Sequence, residues 1–358
     1  MPDHATAFAP GRVNLIGEHT DYNEGLALPF AIDAGVTVTA TAQQERAVQA
    51  VACDLGERDR FELGAPEPAP GWRAFVRGAV GELQRAGVAL RGARLRIHGT
   101  IPRGAGLSSS AALAVALTLA LIELACGRDP QRAAAPGLDR IALARLCSRI
   151  EHDWVGARTG LLDQLASLFG ERDKALRIDF RSLAVCPVPL VLGGYKLVTL
   201  DSGERHAIAA SGYNRRQAEC EQACERLGLA SLRDATLELV ARLPAPLSSR
   251  ARHVISENAR VEQAVAALGR GDLPELGRLL EASHASLRDD YEVSTPAVEA
   301  AVEQLRRAGA IGARIVGGGF GGHVLGLLPP DAIAPAAAVE VQPGPGARLL
   351  DLPAHRRA

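Results

Sequence analysis

GAGLSSSAAL, residues 104–113, joins a glycine-rich turn to a strongly helical run that begins at Ala111. This order places serine hydroxyls and exposed backbone amides at a helix N-terminus, where the positive end of the helix dipole favours a phosphate. Glycines let the backbone approach that phosphate, and a serine hydroxyl is a suitable ligand for Mg²⁺. The alternative is ordinary N-capping, for which one serine would suffice. Three serines behind two glycines favour phosphate binding.

The same segment excludes several common architectures. It lacks the GxxxxGK[ST] pattern of a Walker A loop, and the chain has no HRD and DFG set of a protein kinase. The GxSxG elbow of serine hydrolases is also absent at this point. A phosphate-transferring enzyme with this sequence therefore belongs to another architecture.

Residues 9–25, APGRVNLIGEHTDYNEG, crowd ionisable groups into a stretch whose glycines and proline force turns. Apolar and polar residues alternate from Val13 to Ile16, which predicts a half-buried strand that runs into a polar loop. Solvated loop charges are the alternative interpretation. Partly buried polar groups need hydrogen-bond partners, and sugar hydroxyls supply them. The candidate polyol-binding residues are Arg12, Glu18, His19 and Asp21.

Residues 312–322, GARIVGGGFGG, formally contain the GxGxxG pattern of dinucleotide sites. The pattern follows a strand-like run, Ala313–Val316, but leads into His323–Leu328, which has the character of a second strand and not of a helix. Without a strand-turn-helix context the dinucleotide interpretation is weak. The segment predicts a glycine-rich hairpin that approaches the site from a second domain, with a purely structural hairpin as the alternative.

Two carboxylates lie in residues 151–164, EHDWVGARTGLLDQ. Asp163 is flanked by leucines, so we expect it to be partly buried and to act as a base or as an electrostatic partner for a sugar hydroxyl. N-capping of a short helix Gln164–Phe169 explains Asp163 equally well. Glu151 falls late in an amphipathic helix, where a solvated acid is the simpler interpretation.

Length and composition bound the remaining possibilities. The 358 residues suffice for two domains, and 47% hydrophobic residues allow a substantial core. A net charge of −1 gives no reason to expect nucleic acid or an anionic membrane as a partner. The apolar stretch Ala111–Ile122 is too short for a membrane span and predicts a buried helix. No secretory signal is evident, and six scattered cysteines without metal-site spacing indicate reduced thiols in a cytoplasmic protein.

The predicted elements suggest where the chain divides. A possible domain junction lies in a proline-marked stretch, which gives an N-terminal domain of residues 1–190 and a C-terminal domain of residues 191–358. The expected strands are Val36–Ala42, Val48–Cys53, Arg94–Gly99, Ala175–Asp179, Cys186–Leu192 and Lys196–Asp201. The expected helices are Trp72–Ala86, Ile141–Asp153 (followed by a loop to Gly170), Tyr213–Gly228, Ser248–Leu268 and Leu273–Ser286. Beyond Pro329 we expect at most one short element.

The three motifs together resemble the galactokinases, a branch of the GHMP family that also includes homoserine, mevalonate and phosphomevalonate kinases. GRVNLIGEHTDYN is similar to the galactokinase signature, PRGAGLSSSAAL to the phosphate loop of the family, and GARIVGGGFGG to its third motif. RTGLLDQLASLFG, SGYNRRQAEC, RHVISENARV and LLEASHASLRDDYEVS also resemble galactokinase segments. The likeness extends to about residue 328.

This resemblance implies a two-domain α+β GHMP-kinase fold, an active site in the interdomain cleft, and ATP-dependent phosphorylation of the anomeric hydroxyl of D-galactose. It implies Asp163 as base or orienting group and Arg12 as the residue that stabilises charge on the transferring phosphoryl. The implied sugar-binding residues are Glu18, His19, Thr20, Asp21, Gly160 and Tyr213. The implied ATP-phosphate loop is Gly104, Ala105, Gly106, Leu107, Ser108, Ser109 and Ser110, with Ser110 and Glu151 as ligands of Mg²⁺. Phosphoryl transfer requires mainly such positioning and charge neutralisation.

The chain departs from the family pattern at a few positions. Ile315 and Val316 stand where Met-Thr is usual, His323 where Cys is frequent, Gly212 where Glu is frequent, and Thr159 where Cys is common. A kinase for N-acetylgalactosamine, galacturonate or arabinose, or a galactose- and ATP-binding regulator without turnover, therefore remain alternatives. The expected assembly is a monomer or a weak homodimer.

Overall fold

The computed structural model describes residues 2–102, 106–127, 138–157, 159–204 and 209–351. The strands are β1 (His4–Asn14), β2 (Leu26–Ala27), β3 (Pro29–Ala42), β4 (Ala47–Ala52), β5 (Glu57–Glu62), β6 (Ala93–Gly99), β7 (Lys174–Asp179), β8 (Ala184–Pro189), β9 (Lys196–Asp201), β10 (Gly312–Ile315), β11 (His323–Leu328), β12 (Val339–Glu340) and β13 (Arg348–Leu350). The helices are α1 (Trp72–Arg85), α2 (Ser109–Cys126), α3 (Arg140–Arg149), α4 (Leu162–Phe169), α5 (Ala209–Leu227), α6 (Leu237–Val240), α7 (Leu247–Arg270), α8 (Leu273–Asp289) and α9 (Pro296–Arg307). A π-helical turn, Ile150–Val155, continues α3.

Within the described ranges these strands form three sheets. The largest has the order β13-β1-β3-β6-β4-β5, in which β4 and β6 run parallel and the other pairs antiparallel. A four-stranded antiparallel sheet has the order β10-β11-β9-β12, and a three-stranded one the order β2-β7-β8. Mixed helices and largely antiparallel sheets confirm the α+β class.

Helix α2 is the centre of the first core, where it packs on β1 and β3 and against α1 and α4. It is long and apolar enough to cross a membrane by length and composition, yet 72% of it is buried inside the protein. The helix therefore covers the largest sheet, and the predicted buried helix is confirmed.

The second core lies between the four-stranded sheet and the helices α5, α7 and α9. Val261 of α7 and Leu276 of α8 belong to the first core, so helices of the second half also cover the first. The last strand, β13, pairs with β1 through the register of Leu350 and Thr6. The division of the chain near residue 190 stays a prediction.

The structure refines several predicted elements. Of the strand expected at Val13–Ile16, Val13 and Asn14 form the end of the longer β1, whereas Leu15 and Ile16 lie beyond it. Part of the loop expected before Gly170 is instead helix α4, because Leu162, Leu165 and Leu168 give it one buried face. Strand β5 and helix α9 were not predicted, and the stretch beyond Pro329 contains two short strands, β12 and β13, where at most one short element was expected. All six cysteines are free thiols, as expected.

A buried carboxylate fastens α7 to the loop after β1. Glu257 is fully buried, and its Oε1 accepts hydrogen bonds from the backbone amide of Gly17 at 2.9 Å and from the hydroxyl of Ser283 at 2.6 Å. Its Oε2 accepts from Nε of Arg260 at 2.7 Å. Burial opposes the charge, but Arg260 and the other favourable contacts outweigh it and lower the pKa of Glu257 to about 2. Charged Glu257 therefore helps to fix the loop that carries Glu18, His19 and Asp21.

Replacing this carboxylate should destabilise the fold. We expect Glu257→Gln to lower the free energy of unfolding at pH 7 by about 3 kcal/mol, because it removes the charge that pairs with Arg260 and leaves the buried donors badly matched. A depressed folded-state pKa gives stability that is present above the unfolded value near 4.3 and lost as the pH falls towards 2. The difference between variant and parent should therefore shrink below pH 4.

Denaturant titrations at pH 7 and pH 3.5 measure this effect. Glu303→Gln is the matched control, because Glu303 pairs with Arg307 on an exposed helix face and should change stability by about 0.5 kcal/mol or less. Equal stability losses in the two variants at pH 7 would contradict the anchoring role of Glu257.

Candidate active site

A cavity of about 450 Å³ brings the distant sequence motifs together. Its wall comes from the loop after β1, the start of α2, the π-helical turn, the start of α4, helix α5 and the hairpin between β10 and β11. The predicted site residues that line it are Arg12, Glu18, His19, Asp21, Gly106, Leu107, Ser108, Ser109, Ser110, Glu151, Gly160, Asp163 and Tyr213. Gly104 and Ala105 lie outside the described residues.

Arg12 connects three segments of this wall. Its Nη1 donates to the carbonyl oxygen of Gly106 at 2.6 Å, and its Nη2 lies 2.7 Å from Oδ1 of Asp163. Its backbone amide donates to the carbonyl of Leu107 at 3.2 Å, and a Cβ at the preceding Gly11 would lie only 2.4 Å from that oxygen. Glycine at position 11 therefore permits the close approach of β1 to the serine loop.

The serine loop leaves polar groups free at the start of α2. Ser108 has φ +62°, and its hydroxyl is buried, makes no side-chain capping bond and has no hydrogen-bond partner. Ser109 begins the helix and Ser110 is exposed on the cavity wall. The Ser108 side chain therefore does not cap α2 in the ordinary way. The amides and hydroxyls of this turn suit an anion.

Glu151 is not the solvated helical acid that the sequence favoured. It lies in the π-helical turn with 4% of its surface exposed, because the wider turn places its side chain towards the cavity. Its Oε2 accepts a hydrogen bond from the Thr159 hydroxyl at 2.7 Å, whereas Oε1 has no partner. Burial, and then the charge of Asp163, raise the pKa of Glu151 to about 7. A buried carboxylate oxygen of this kind suits a hard cation such as Mg²⁺.

Asp163 lies in the first turn of α4, one residue after the helix begins at Leu162. The capping position is Leu161, so the alternative of Asp163 as an N-cap is wrong. One quarter of its side chain is exposed, and Arg12 is its ion-pair partner. Asp163 therefore presents a held carboxylate to the cavity.

Glu18 joins the loop after β1 to the hairpin between β10 and β11. Its Oε1 accepts from the backbone amide of Gly317 at 2.7 Å and lies 3.4 Å from Nη2 of Arg314. Burial raises the pKa of Glu18 against the attraction of Arg314 and Arg12. Arg314 is fully buried, and sequence reasoning missed it, although a lone arginine inside the apolar run of β10 is a signal that could have revealed it.

Asp21 faces Gly160 and Tyr213. A Cβ at Gly160 would lie 2.1 Å from Oδ2 of Asp21, so only glycine fits beside this carboxylate. The hydroxyl of Tyr213 donates to Oδ1 of Asp21 across 3.4 Å. Burial, followed by the charges of Asp163 and Glu18, raises the pKa of Asp21 to about 7.

The two residues between Glu18 and Asp21 have different surroundings. His19 lines the cavity, and burial followed by repulsion from His253 and Arg216 lowers its pKa well below the ordinary range. Thr20 does not line the cavity, because its hydroxyl donates to the carbonyls of Gly17 at 2.9 Å and of Leu26 at 2.7 Å. In this geometry Thr20 holds the loop.

Known families match most of this architecture. The family described as GHMP kinases N terminal domain matches residues 74–171, and the one described as GHMP kinases C terminal matches residues 264–343. The galactokinase galactose-binding signature matches residues 2–42. A galactokinase from Roseiflexus sp. (strain RS-1) is 43% identical over 336 residues, which cover 91% of this chain and 83% of that protein. The chain belongs to the galactokinase family.

Other galactokinases and GHMP structures agree. A galactokinase from Mycobacterium tuberculosis (strain ATCC 25618 / H37Rv) is 43% identical over 90% of this chain and 88% of that protein. The crystal structure of Lactococcus lactis galactokinase complexed with galactose is similar with a TM-score of 0.89 and 34% identity, over 97% of this chain and 95% of that one. A mevalonate kinase structure has a TM-score of 0.64 at 19% identity, with 91% of each chain covered, which shows the shared fold. The protein is a sugar kinase, a phosphotransferase with an alcohol group as acceptor.

Most departures from the galactokinase pattern lie outside the cavity wall. Ile315 and Val316 are fully buried in the two cores and do not line the cavity. Gly212 packs on Phe320, where a Cβ would lie 2.6 Å from the ring. Thr159 is on the wall and donates to Glu151. These four substitutions thus act mainly on packing, and only Thr159 alters a polar group of the site.

Asp21 should make the unliganded protein less stable as the pH rises. Its raised folded-state pKa means that the folded protein binds more protons than the unfolded one between about pH 4 and pH 7, so stability falls across that range. Asp21→Asn removes the cost of the buried charge. We expect it to raise the thermal unfolding midpoint at pH 8, with a much smaller gain at pH 5, as measured by scanning calorimetry.

Asp331→Asn serves as the control, because Asp331 is exposed and does not line the cavity. It should leave the midpoint unchanged at both values of pH. A lower midpoint for Asp21→Asn at pH 8 would show that Asp21 stabilises the empty site.

Proposed function

We propose that the protein phosphorylates the anomeric hydroxyl of D-galactose with ATP and releases galactose 1-phosphate and ADP. The observation that carries this proposal is the Arg12–Asp163 ion pair, which stands between the serine loop and the polyol cluster of Glu18, His19 and Asp21. The similar crystal structure of Lactococcus lactis galactokinase is a complex with galactose, and the galactose-binding signature covers the same cluster in this chain. In this proposal the serine-loop end of the cavity binds phosphate and the end with Glu18, His19 and Asp21 binds sugar.

In this proposal the phosphate end binds ATP. The amides and hydroxyls at the start of α2 bind the phosphates, and Arg12 neutralises charge that develops on the transferring phosphoryl. The unpartnered Oε1 of Glu151 and the Ser110 hydroxyl on the same wall fit the oxygen ligands that Mg²⁺ requires. When bound there, Mg²⁺ supplies further neutralisation of phosphate charge.

At the sugar end, buried acceptors select hydroxyl groups. Asp21 and Glu18 have carboxylate oxygens that can accept from sugar hydroxyls, and Tyr213 supplies a phenol beside Asp21. Asp163 either accepts the proton of the attacking hydroxyl or orients that hydroxyl towards the phosphoryl group. The six free thiols support a reducing, cytoplasmic location. We further propose a monomer or a weak homodimer, since no described segment of the site requires a second chain.

A coupled ADP-release assay tests the proposed reaction. The panel contains galactose, N-acetylgalactosamine, galacturonate, arabinose, glucose, mannose and homoserine with Mg-ATP. We expect steady turnover on galactose, because Glu18, His19 and Asp21 line one cavity together with residues 106–110 of the serine loop. Turnover on another sugar alone would keep the mechanism and change the substrate. Silence across the panel, with galactose still raising thermal stability, would favour a non-catalytic galactose sensor.

The role of Asp163 is tested by a substitution that preserves its shape. Asp163→Asn should lower kcat by about 10²- to 10⁴-fold with a small change in the KM for galactose, because an amide can orient a hydroxyl but cannot take its proton. Asp163→Ala should abolish transfer in a protein that still folds, although it loses some stability because buried Arg12 loses its ion-pair partner. Asp331→Asn is the control for an exposed acid. Near-normal kcat in both Asp163 variants would refute the assignment.

A further inference from the structure

The lining of the cavity does not by itself determine which ring nitrogen of His19 carries the proton. Its ring lies between those of Tyr213 and Tyr291, with centroid separations of 5.2 and 4.7 Å, and its backbone has φ +60°. Nδ1 lies 2.8 Å from the Tyr22 hydroxyl, whereas the buried Nε2 makes no hydrogen bond of good geometry, although the backbone of Gly318 lies close enough to the ring to favour a proton on it. A neutral imidazole carries one proton, so whether Nε2 donates or accepts depends on what Tyr22 does at Nδ1.

Behind Tyr22 runs a chain of buried hydroxyl and thiol groups. The Tyr22 hydroxyl lies 3.0 Å from that of Tyr291, and the Tyr291 hydroxyl lies 3.0 Å from Sγ of Cys220. Nδ2 of Asn23 donates to the same sulfur across 3.6 Å. We call Cys220, Tyr291 and Tyr22 the thiol–phenol relay. Tyr291 and Cys220 are almost fully buried, so water does not compete for these groups.

The relay rests on a rigid support. Nε of Arg216 donates to the carbonyl of Tyr291 at 2.6 Å, and Arg250 donates to the carbonyl of Asp290. Both arginines are buried and both pair with Glu219. This cluster fixes the turn that carries Tyr291, and with it the position of the Tyr291 hydroxyl.

The direction of the protons follows from the two ends of the relay. Asn23 Nδ2 can only donate, so the Cys220 sulfur accepts there and keeps its S–H available for the Tyr291 oxygen, which needs a donor once the Tyr291 hydroxyl donates to Tyr22. Tyr291 then donates to Tyr22, and Tyr22 donates to Nδ1 of His19. This last bond is the favourable one, because a phenol is a better acid than a neutral imidazole N–H and the imidazole nitrogen is the better base. Each group donates once and accepts once, and the proton of His19 is left on Nε2.

We propose that the thiol–phenol relay positions neutral His19 with its Nε2–H as a donor to a hydroxyl oxygen of the acceptor sugar, and that Tyr22 and Tyr291 are therefore positioning residues for sugar selection. The carboxylates of Glu18 and Asp21 can only accept when they are charged, so a fixed donor between them completes the recognition of a hydroxyl that donates to one neighbour and accepts from another. The low pKa of buried His19 agrees with the neutral ring that this arrangement needs. The kinetic consequence rests on the proposed function.

The tautomer of His19 is measured without any substrate. In protein labelled with ¹⁵N-histidine, the His19 resonances are identified by their loss in His19→Gln, and the shifts of the two ring nitrogens show which one carries the proton. We expect the parent protein to carry it on Nε2 and Tyr22→Phe to shift His19 towards a mixture of tautomers. Tyr195→Phe is the matched control, since Tyr195 is a half-buried tyrosine outside the cavity. A parent protein with the proton on Nδ1, or an unaltered spectrum in Tyr22→Phe, would overturn the proposal.

Kinetics then separate positioning from general stability. Tyr22→Phe should raise the KM for galactose about five- to tenfold and Tyr291→Phe about two- to threefold, with the KM for ATP unchanged and Tyr195→Phe neutral in both. The monodeoxygalactose that lacks the hydroxyl contacted by His19 should have a higher KM than galactose in the parent protein. This KM penalty should disappear in Tyr22→Phe. Equal increases in both KM values, or an unchanged penalty for every deoxy sugar, would indicate a merely structural role and refute the proposal.

The failure of the relay and the failure of the proposed function give different results. If the parent protein does not phosphorylate galactose, the proposed function fails, but the ¹⁵N spectra still decide the tautomer. If galactose is phosphorylated normally and Tyr22→Phe matches the parent in spectrum and kinetics, the relay alone is refuted.

Discussion

The guanidinium of Arg12 is the constraint on which the rest of the site depends. One nitrogen binds the carbonyl of Gly106 and another pairs with Asp163, while the backbone of the same residue binds Leu107. The strand β1, the serine loop and helix α4 are thus fixed relative to one another by one residue with 6% of its surface exposed. Because a guanidinium is planar and always charged, it holds both partners in defined directions. The Asp163 carboxylate and the serine loop therefore face the same space.

That arrangement accumulates negative charge in a poorly hydrated space. Glu18, Asp21, Glu151 and Asp163 all line the cavity, and burial raises the pKa of the first three. Arg12 and Arg314 offset part of the cost, but Oε1 of Glu151 keeps no partner. Such a site is less stable than an apolar core of the same shape, and its unmatched groups are those that a ligand or cation can satisfy. The buried anchor of Glu257 shows the opposite case, in which every oxygen has a donor.

Sequence patterns predicted the parts of the structure whose cause is local. Helix α2 followed from its apolar run, and strand β9 was predicted with the bounds that the structure has. Strand β5 was missed because it is an edge strand in which every residue except Phe61 is charged and no residue but Phe61 is buried. Helix α9 was missed although Thr295 caps it and Pro296 begins it, which is a recognisable start signal. For the site, glycine and serine spacing identified the serine loop. The burial of Glu151 depends on the packing of other segments around it. The pairing of Glu18 with Arg314 joins residues that lie about 300 positions apart in the chain.

The departures from the family pattern lie mostly in the packing behind the cavity wall and leave the wall itself almost unchanged. Ile315, Val316 and Gly212 touch core residues and Phe320, so their effect on a substrate passes through the positions of the hairpin and of α5. Tyr213 stands on α5 and contacts both Gly318 of the hairpin and Asp21. The supporting elements thus set the distance between the Asp21 carboxylate and its phenol partner. Selectivity for one sugar over another depends on this packing as well as on the residues that touch the substrate, because a hydroxyl group tolerates little error in the direction of its hydrogen bonds.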